Sequence, residues 1–276
     1  MAIATLKELI ESGVHFGSAA SRWNPKMKPY IFSKQNKIHI IDLRETLKSL
    51  IRSWHFLAQT AAQGKQVLFV GTKRQAADII RQEATRSESY FVCNRWLGGT
   101  LTNMNTMRRR INRLQELEDL ETGGKIQEFS KKMISSLTRE KKKIFRNFEG
   151  IRNMKDIPGA IVVVDPATEH IAIAEGVKLG IPLVGIVDTD DDPSMLDFVI
   201  PGNDDAFCSI QYLLSKMADA VIEGRKNFAL QGAVKQRAQQ QGGRDAGEGS
   251  APAEDKGIET PTDFSQVGGF SYGGNE

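Results

Sequence analysis

A chain of 276 residues with 40% apolar and 26% charged residues can bury a large core, which excludes both a disordered chain and a small disulfide-stapled scaffold. The formal net charge of +3 hides an asymmetry: residues 241–276 hold two cations against seven carboxylates, leaving +8 on residues 1–240. No stretch of about 18 apolar residues is present to span a bilayer, and the N-terminus has no secretory pattern, so a cytoplasmic chain free of membranes is expected.

In chain order, Leu6, Leu9 and Ile10 form a short amphipathic segment, and Gly13 to Gly17 a turn. Residues 22–32 then join three cations to aromatic residues and two prolines. Each proline fixes its own φ and pushes the preceding residue toward extended geometry, so Asn24 and Lys28 are expected extended and the segment a stiff, non-helical loop. Arg22, Lys26 and Lys28 would take phosphate charge there, while Trp23 and Tyr30 stack on a base or ribose or wedge the loop against the core. Composition leaves an RNA-gripping loop and an ordinary surface loop equally open.

Ile38–Ile41 reads as a strand, and Asp42 caps a helix whose apolar face (Leu43, Leu47, Leu50, Ile51, Trp54, Leu57) ends near Gly64. Strands and helices then alternate. Val67–Val70, Tyr90–Val92, the β-branched run Ala160–Val164, Leu183–Val187 and Phe198–Ile200 are strands; helices follow around Ala76–Ile80, from a Thr168 cap through Leu179, and from Asp204 to Gly224. This rhythm predicts a parallel sheet covered on both faces.

Residues 103–149 break the rhythm. Met104, Met107, Ile111 and Leu114, then Phe129, Met133, Leu137, Ile144 and Phe148, step by helical intervals on either side of Gly123-Gly124. A two-helix coiled-coil hairpin is expected, each arm about 30 Å long and projecting from the sheet. Its exposed faces would carry Arg108, Arg109 and Arg110 and Lys141, Lys142 and Lys143, either solvated or held for an anionic partner. The resulting organisation is an α/β domain over 1–102 and 150–228, the inserted hairpin, and a disordered acidic, glycine-rich tail over 239–276.

Catalytic chemistry is sparse. Gly71-Thr72-Lys73 follows a strand and opens a helix, where an anion would sit, and Arg74 adds a cation; but the Walker A spacing is absent and no G-x-G-x-x-G occurs. A plain strand-to-helix turn explains it as well as a grip on an RNA phosphate. Seven aspartates and no Lys or Arg fall between Ile186 and Asp205. A divalent cation could neutralise them, with Asp188, Asp204 and Asp205 as weak candidate ligands and His15 as an additional one for a transition metal. Asn203, Asp204 and Asp205 would alternatively cap the last helix. The four histidines are scattered, none beside an obvious nucleophile, while Cys93 and Cys208 lack metal-site spacing and fit a reducing compartment. Asp165 and Asp188 end buried strands, where α/β enzymes place active residues, so a nucleotide- or sugar-phosphate-binding enzyme is the alternative function.

Seven blocks resemble the bacterial-type small-subunit ribosomal protein S-two family. They are Gly13–Gly17, Arg22–Phe32, Ile38–Leu43, Phe69–Lys73, Arg95–Asn103, Gly180–Pro182 with Val187–Thr189, and Ile200–Ala206, in family order across about residues 5–225. The resemblance implies a flavodoxin-like α/β domain with an inserted hairpin, a non-enzymatic constituent of the small ribosomal subunit. It further implies binding to small-subunit ribosomal RNA near the junction of head and body, docking of the mobile ribosomal protein S-one, neighbouring small-subunit proteins as partners, and no small-molecule substrate. Bacterial origin is expected, with plastid origin open. Two departures stand out: Ser18 replaces a histidine common in the family, and Asp190 replaces an asparagine. Read together with the charge pattern, the expected RNA contacts are Arg22, Trp23, Lys26, Lys28, Lys34, Lys37, Arg74, Arg95, Trp96, Asn103, Arg108, Arg109, Arg110, Lys141, Lys142 and Lys143.

Overall fold

A computed structural model describes residues 3–245, with side chains described as far as residue 230 except those of Lys125 and Glu128. Residues 1–232 form one compact unit; of the second, 233–276, the described part is the end of a helix, and residues 246–276, with most of the tail expected to be disordered, lie outside the described residues.

A small antiparallel sheet opens the fold after helix α1 (Leu6–Glu11): β1 (Phe16–Ala19), β2 (Ile31–Gln35) and β3 (Ile38–Ile41), in the order β1-β3-β2. Of these only β3 was legible as a strand; β1 and β2 are short and mostly exposed, without the apolar alternation that marks a half-buried strand. Helix α2 (Leu43–Ala62) follows, its Asp42 cap accepting the Arg44 N–H as expected.

The main sheet is parallel, built from β4 (Val67–Val70), β5 (Tyr90–Val92), β6 (Ala160–Val164), β7 (Leu183–Val187) and β8 (Phe198–Pro201), in the order β5-β4-β6-β7-β8. Counted along the chain this is 2-1-3-4-5, the flavodoxin-like order, with its switch point between β4 and β6. Alternate residues feed two cores. Val67, Phe69, Val162 and Val164 pack with α2, α3 (Arg74–Arg86) and α7 (Phe207–Asp245); Leu68, Val70, Ile161 and Val163 pack on the other face with α6 (His170–Leu179) and the helices of the insertion. Two boundaries moved. The sixth helix begins at His170 rather than behind Thr168, because the Asp165 carboxylate takes the Thr168 N–H and Oγ–H. The last helix runs beyond Gly224 to Asp245, so residues 239–245, expected in the tail, are helical.

The insertion is α4 (Met104–Thr122) and α5 (Lys131–Phe148), joined through Gly123, Gly124 at φ +70° and a short 3-10 turn. Leu114, Leu117, Leu137 and Ile144 are buried along the seam, and Arg113 to Glu140 and Lys141 to Glu121 tie the helices together. At the root, Met107 and Phe148 join the core beneath the sheet. The returning chain passes so close to edge strand β5 that a side chain on Gly150 would collide with the Phe91 carbonyl.

Candidate nucleic-acid interface

The basic segment departs from its expected form. Asn24 is extended, at φ −91° and ψ 127°, but Pro25–Tyr30 coils into a 3-10 turn that carries Lys28 with it. Pro25 takes the first helical position, where its missing N–H costs nothing. Asn24 Oδ1 accepts the Lys26 N–H at 3.0 Å, and Met27 is fully buried. Behind the turn, the Asn24 N–H donates to the Thr189 carbonyl at 2.8 Å. The turn therefore presents Lys26 and Lys28 from a fixed base. Lys26 reaches Asp192 at 2.7 Å, and with Ser194 holds that carboxyl down to about 2. An ion pair this open to solvent contributes little.

Lys34 and Lys37 stand at the tip of the β2–β3 hairpin, whose two-residue turn holds Asn36 and Lys37 at φ 50° and 65°. Arg22, Lys28, Lys34 and Lys37 are exposed and have no ion pair among the described residues. The Trp23 ring is half-buried, 5.5 Å from the His39 ring, so its inner face is already in use.

The loop from Arg95 to Asn103 is organised by a residue that sequence reasoning missed. Glu175, on α6, is buried, and its carboxylate accepts from Trp96 Nε1 (3.0 Å), Gly99 N (2.7 Å), Leu101 N (3.0 Å), and Thr102 N and Oγ (both 3.1 Å). Burial works against its charge, but these donors prevail and lower its pKa. Trp96 is thus an internal anchor, and Arg95 projects outward from the loop it pins. Asn103 caps α4 by accepting the Thr106 N–H, so its side chain is occupied locally. No local pattern marks Glu175: its partners lie more than 70 residues away in the chain.

On the insertion, Arg108 donates to the Lys155 carbonyl at 2.7 Å and Lys141 pairs with Glu121. Arg109, Arg110, Lys142 and Lys143 are exposed, with no ion pair among the described residues. Arg110 and Lys143 come together on the wall of one cavity.

The acidic residues gather around Lys73. At the carboxyl end of the main sheet, Lys73 Nζ lies 3.1 Å from Asp165, 2.9 Å from Asp204 and 2.8 Å from Asp205. Burial disfavours its charge, yet the bonds to Asp205 and Asp204 raise its pKa. Burial and neighbouring carboxylates push Asp204 up to about 8 and Asp191 up to about 7. Carboxylate oxygens of Asp188, Asp204 and Asp205 lie within 4.8 Å of one another, as do those of Asp165, Asp191 and Asp204; His15 joins neither group. Either set could ligate a hard cation by chemistry alone, but the Lys73 ammonium already holds the neutralising position. Asp188 is further engaged by the Ser18 hydroxyl at 2.7 Å, the residue that departs from the family pattern. Of the three residues expected to cap the last helix from Asp204, Asn203 accepts the Asp205 and Ala206 N–H groups just ahead of the helix, which begins at Phe207, while Asp204 and Asp205 turn to Lys73.

The phosphate position after β4 is likewise filled from within. Glu169 accepts the Thr72 N–H at the start of α3, so a protein carboxylate stands where an anion would bind. Arg74 lies exposed beside it, while Lys73 points into the acidic cluster.

Residues 9–224 match the family model described as ribosomal protein S2. The chain is 52% identical to the small ribosomal subunit protein uS2 of Rhodopirellula baltica over 225 residues, 82% of this chain and 86% of the relative. It is 50% identical to the small ribosomal subunit protein uS2 of Desulforapulum autotrophicum over 228 residues, covering 83% and 81%.

Proposed function

The chain belongs to the ribosomal protein S2 family of small-subunit ribosomal proteins, and from that premise we propose that it holds small-subunit ribosomal RNA as a structural constituent of the subunit. The grip is by charge neutralisation and shape. Arg22, Lys28, Lys34 and Lys37 meet phosphates from the proline-bounded turn and the β2–β3 hairpin, Arg95 from the loop pinned by Glu175, and Arg74 from the start of α3. The helical pair 103–149 acts as a second arm on the α/β body of 1–102 and 150–228, with Arg109, Arg110, Lys142 and Lys143 as its contacts. Lys26 and Lys141 exchange exposed internal partners for phosphate at small cost. The site of action is the ribosome in the cytoplasm.

One observation carries this proposal: Arg22, Lys28, Lys34, Lys37, Arg95, Arg109, Arg110, Lys142 and Lys143 are exposed with no carboxylate partner among the described residues, while buried Asp165, Asp204 and Glu175 are satisfied by Lys73 and by backbone amides. A salt titration of binding to a small-subunit RNA fragment tests it. With about six phosphates contacted, affinity falls by orders of magnitude between about 50 and 200 mM salt. A flat response overturns it.

Family resemblance extends the proposal to docking of ribosomal protein S-one and contact with neighbouring small-subunit proteins. Small subunits assembled without this chain then fail to retain S-one; retention at the normal level removes that part.

A further inference from the structure

At the root of the helical pair lies a cavity of about 580 Å³, within the range of roughly 300–1,000 Å³ that small ligands occupy. Its floor is apolar, with Met107, Ile144 and Phe148 all buried. One polar side chain interrupts that floor: Asn147 lines the cavity, and its Oδ1 is buried with no hydrogen-bond partner among the described residues. An unmet buried acceptor costs about 1–3 kcal/mol, so it marks a place where a donor is expected. At the mouth stand Arg110 and Lys143, exposed and without ion pairs among the described residues, each the end of a run of three cations. Glu140, also on the wall, is paired with Arg113 at 3.4 Å.

A flat apolar body, an N–H donor on its edge and an anion held a sugar's length away is the chemistry of a nucleotide. We propose that this cavity receives a single unpaired nucleotide of the bound RNA, its base against Met107, Ile144 and Phe148, its exocyclic amine donating to Asn147 Oδ1, and its phosphate between Arg110 and Lys143. This rests on the RNA-binding function proposed above and adds to it a point of base contact, where the rest of the surface contacts only backbone.

The test is base-specific chemical footprinting of small-subunit RNA bound to the full chain, to Asn147→Leu and to Thr106→Phe. Thr106 is exposed on the cavity rim, so Thr106→Phe blocks the entrance without touching the core. The wild type protects the Watson–Crick edge of one or a few unpaired bases. Both variants lose that protection and bind about tenfold more weakly, the effect expected of one stacked base, with a salt slope smaller by no more than about one. Protection that persists in both variants overturns the proposal. So does a pair of variants that protect the RNA normally but no longer carry a neighbouring protein, since a protein side chain would then be the occupant. Failure of the wild type to bind RNA at all removes the RNA-binding function and this inference with it, whereas salt-dependent binding with the bases protected equally in all three proteins removes this inference alone.

Discussion

The carboxyl end of the main sheet and the outer basic surface carry opposite signs and opposite economies. At the sheet, buried charges are met from within: Lys73 gathers Asp165, Asp204 and Asp205, Glu169 holds the Thr72 amide, and Glu175 gathers the Arg95–Asn103 loop. On the outside, Arg22, Lys28, Arg95, Arg109, Arg110, Lys142 and Lys143 stand exposed without internal carboxylates among the described residues. A flavodoxin-like sheet ordinarily binds ligands at its switch point. Here Lys73 and Glu169 fill that end of the sheet from within, and the proposed RNA contacts lie mainly on the turn, the hairpin and the inserted helices.

Changes at the sheet should therefore cost stability and spare RNA binding, and changes outside should do the reverse. Lys73→Met is the harshest, since it leaves buried carboxylates without a cation; a loss of about 3–5 kcal/mol is expected in urea unfolding. Next comes Glu175→Gln, which replaces an acceptor of five bonds and should cost about 3 kcal/mol. Because the folded pKa of Glu175 lies below its ordinary 4.5, its contribution is complete above that value and disappears as pH falls through the lowered folded value. Wild type and Glu175→Gln should converge in melting temperature under acid; a gap that stays constant from pH 7 to 3 would refute the ionic origin.

Asp191 runs the other way. The folded state holds its proton up to about pH 7 against an ordinary 3.8, so stability drains away as pH rises from about 4 to 7. Asp191→Asn should thus stabilise by about 1–2 kcal/mol above pH 7, keeping the acceptor for the Asp188 N–H, with the gain fading toward pH 4. Smallest in stability, within about 0.5 kcal/mol, is the joint neutralisation of Arg109, Arg110, Lys142 and Lys143 to glutamine. Its effect belongs to RNA: the slope of log affinity against log salt should shrink by about 3, and a slope equal to that of the wild type would place the interface elsewhere.

Much of the fold was legible because the β-branched runs at Ala160–Val164 and Leu183–Val187 are buried on both faces and announce themselves by composition alone. The helices of the insertion were equally plain, their apolar residues spaced for one face and their turn marked by Gly123-Gly124. Hidden were the features that depend on distant partners. Strands β1 and β2 are ordered by pairing with β3 rather than by burial, and the proline segment turns because Met27 finds a pocket. Glu175 looks like any acidic residue on a helix until the 97–102 loop closes over it. The aspartate cluster was visible as a pattern, but its neutralisation by Lys73, more than 90 residues before Asp165, is a property of the sheet's crossover order.

The tight passage of the chain at Gly150 past Phe91 has a bearing on life before assembly. Strand β5 is a rim of the sheet, and an open rim invites pairing with another polypeptide. Residues 149–151 pass close against it at Phe91, and the opposite rim strand β8 ends in Pro201, which has no amide to donate. Both devices work against one copy zipping onto another along an open strand edge.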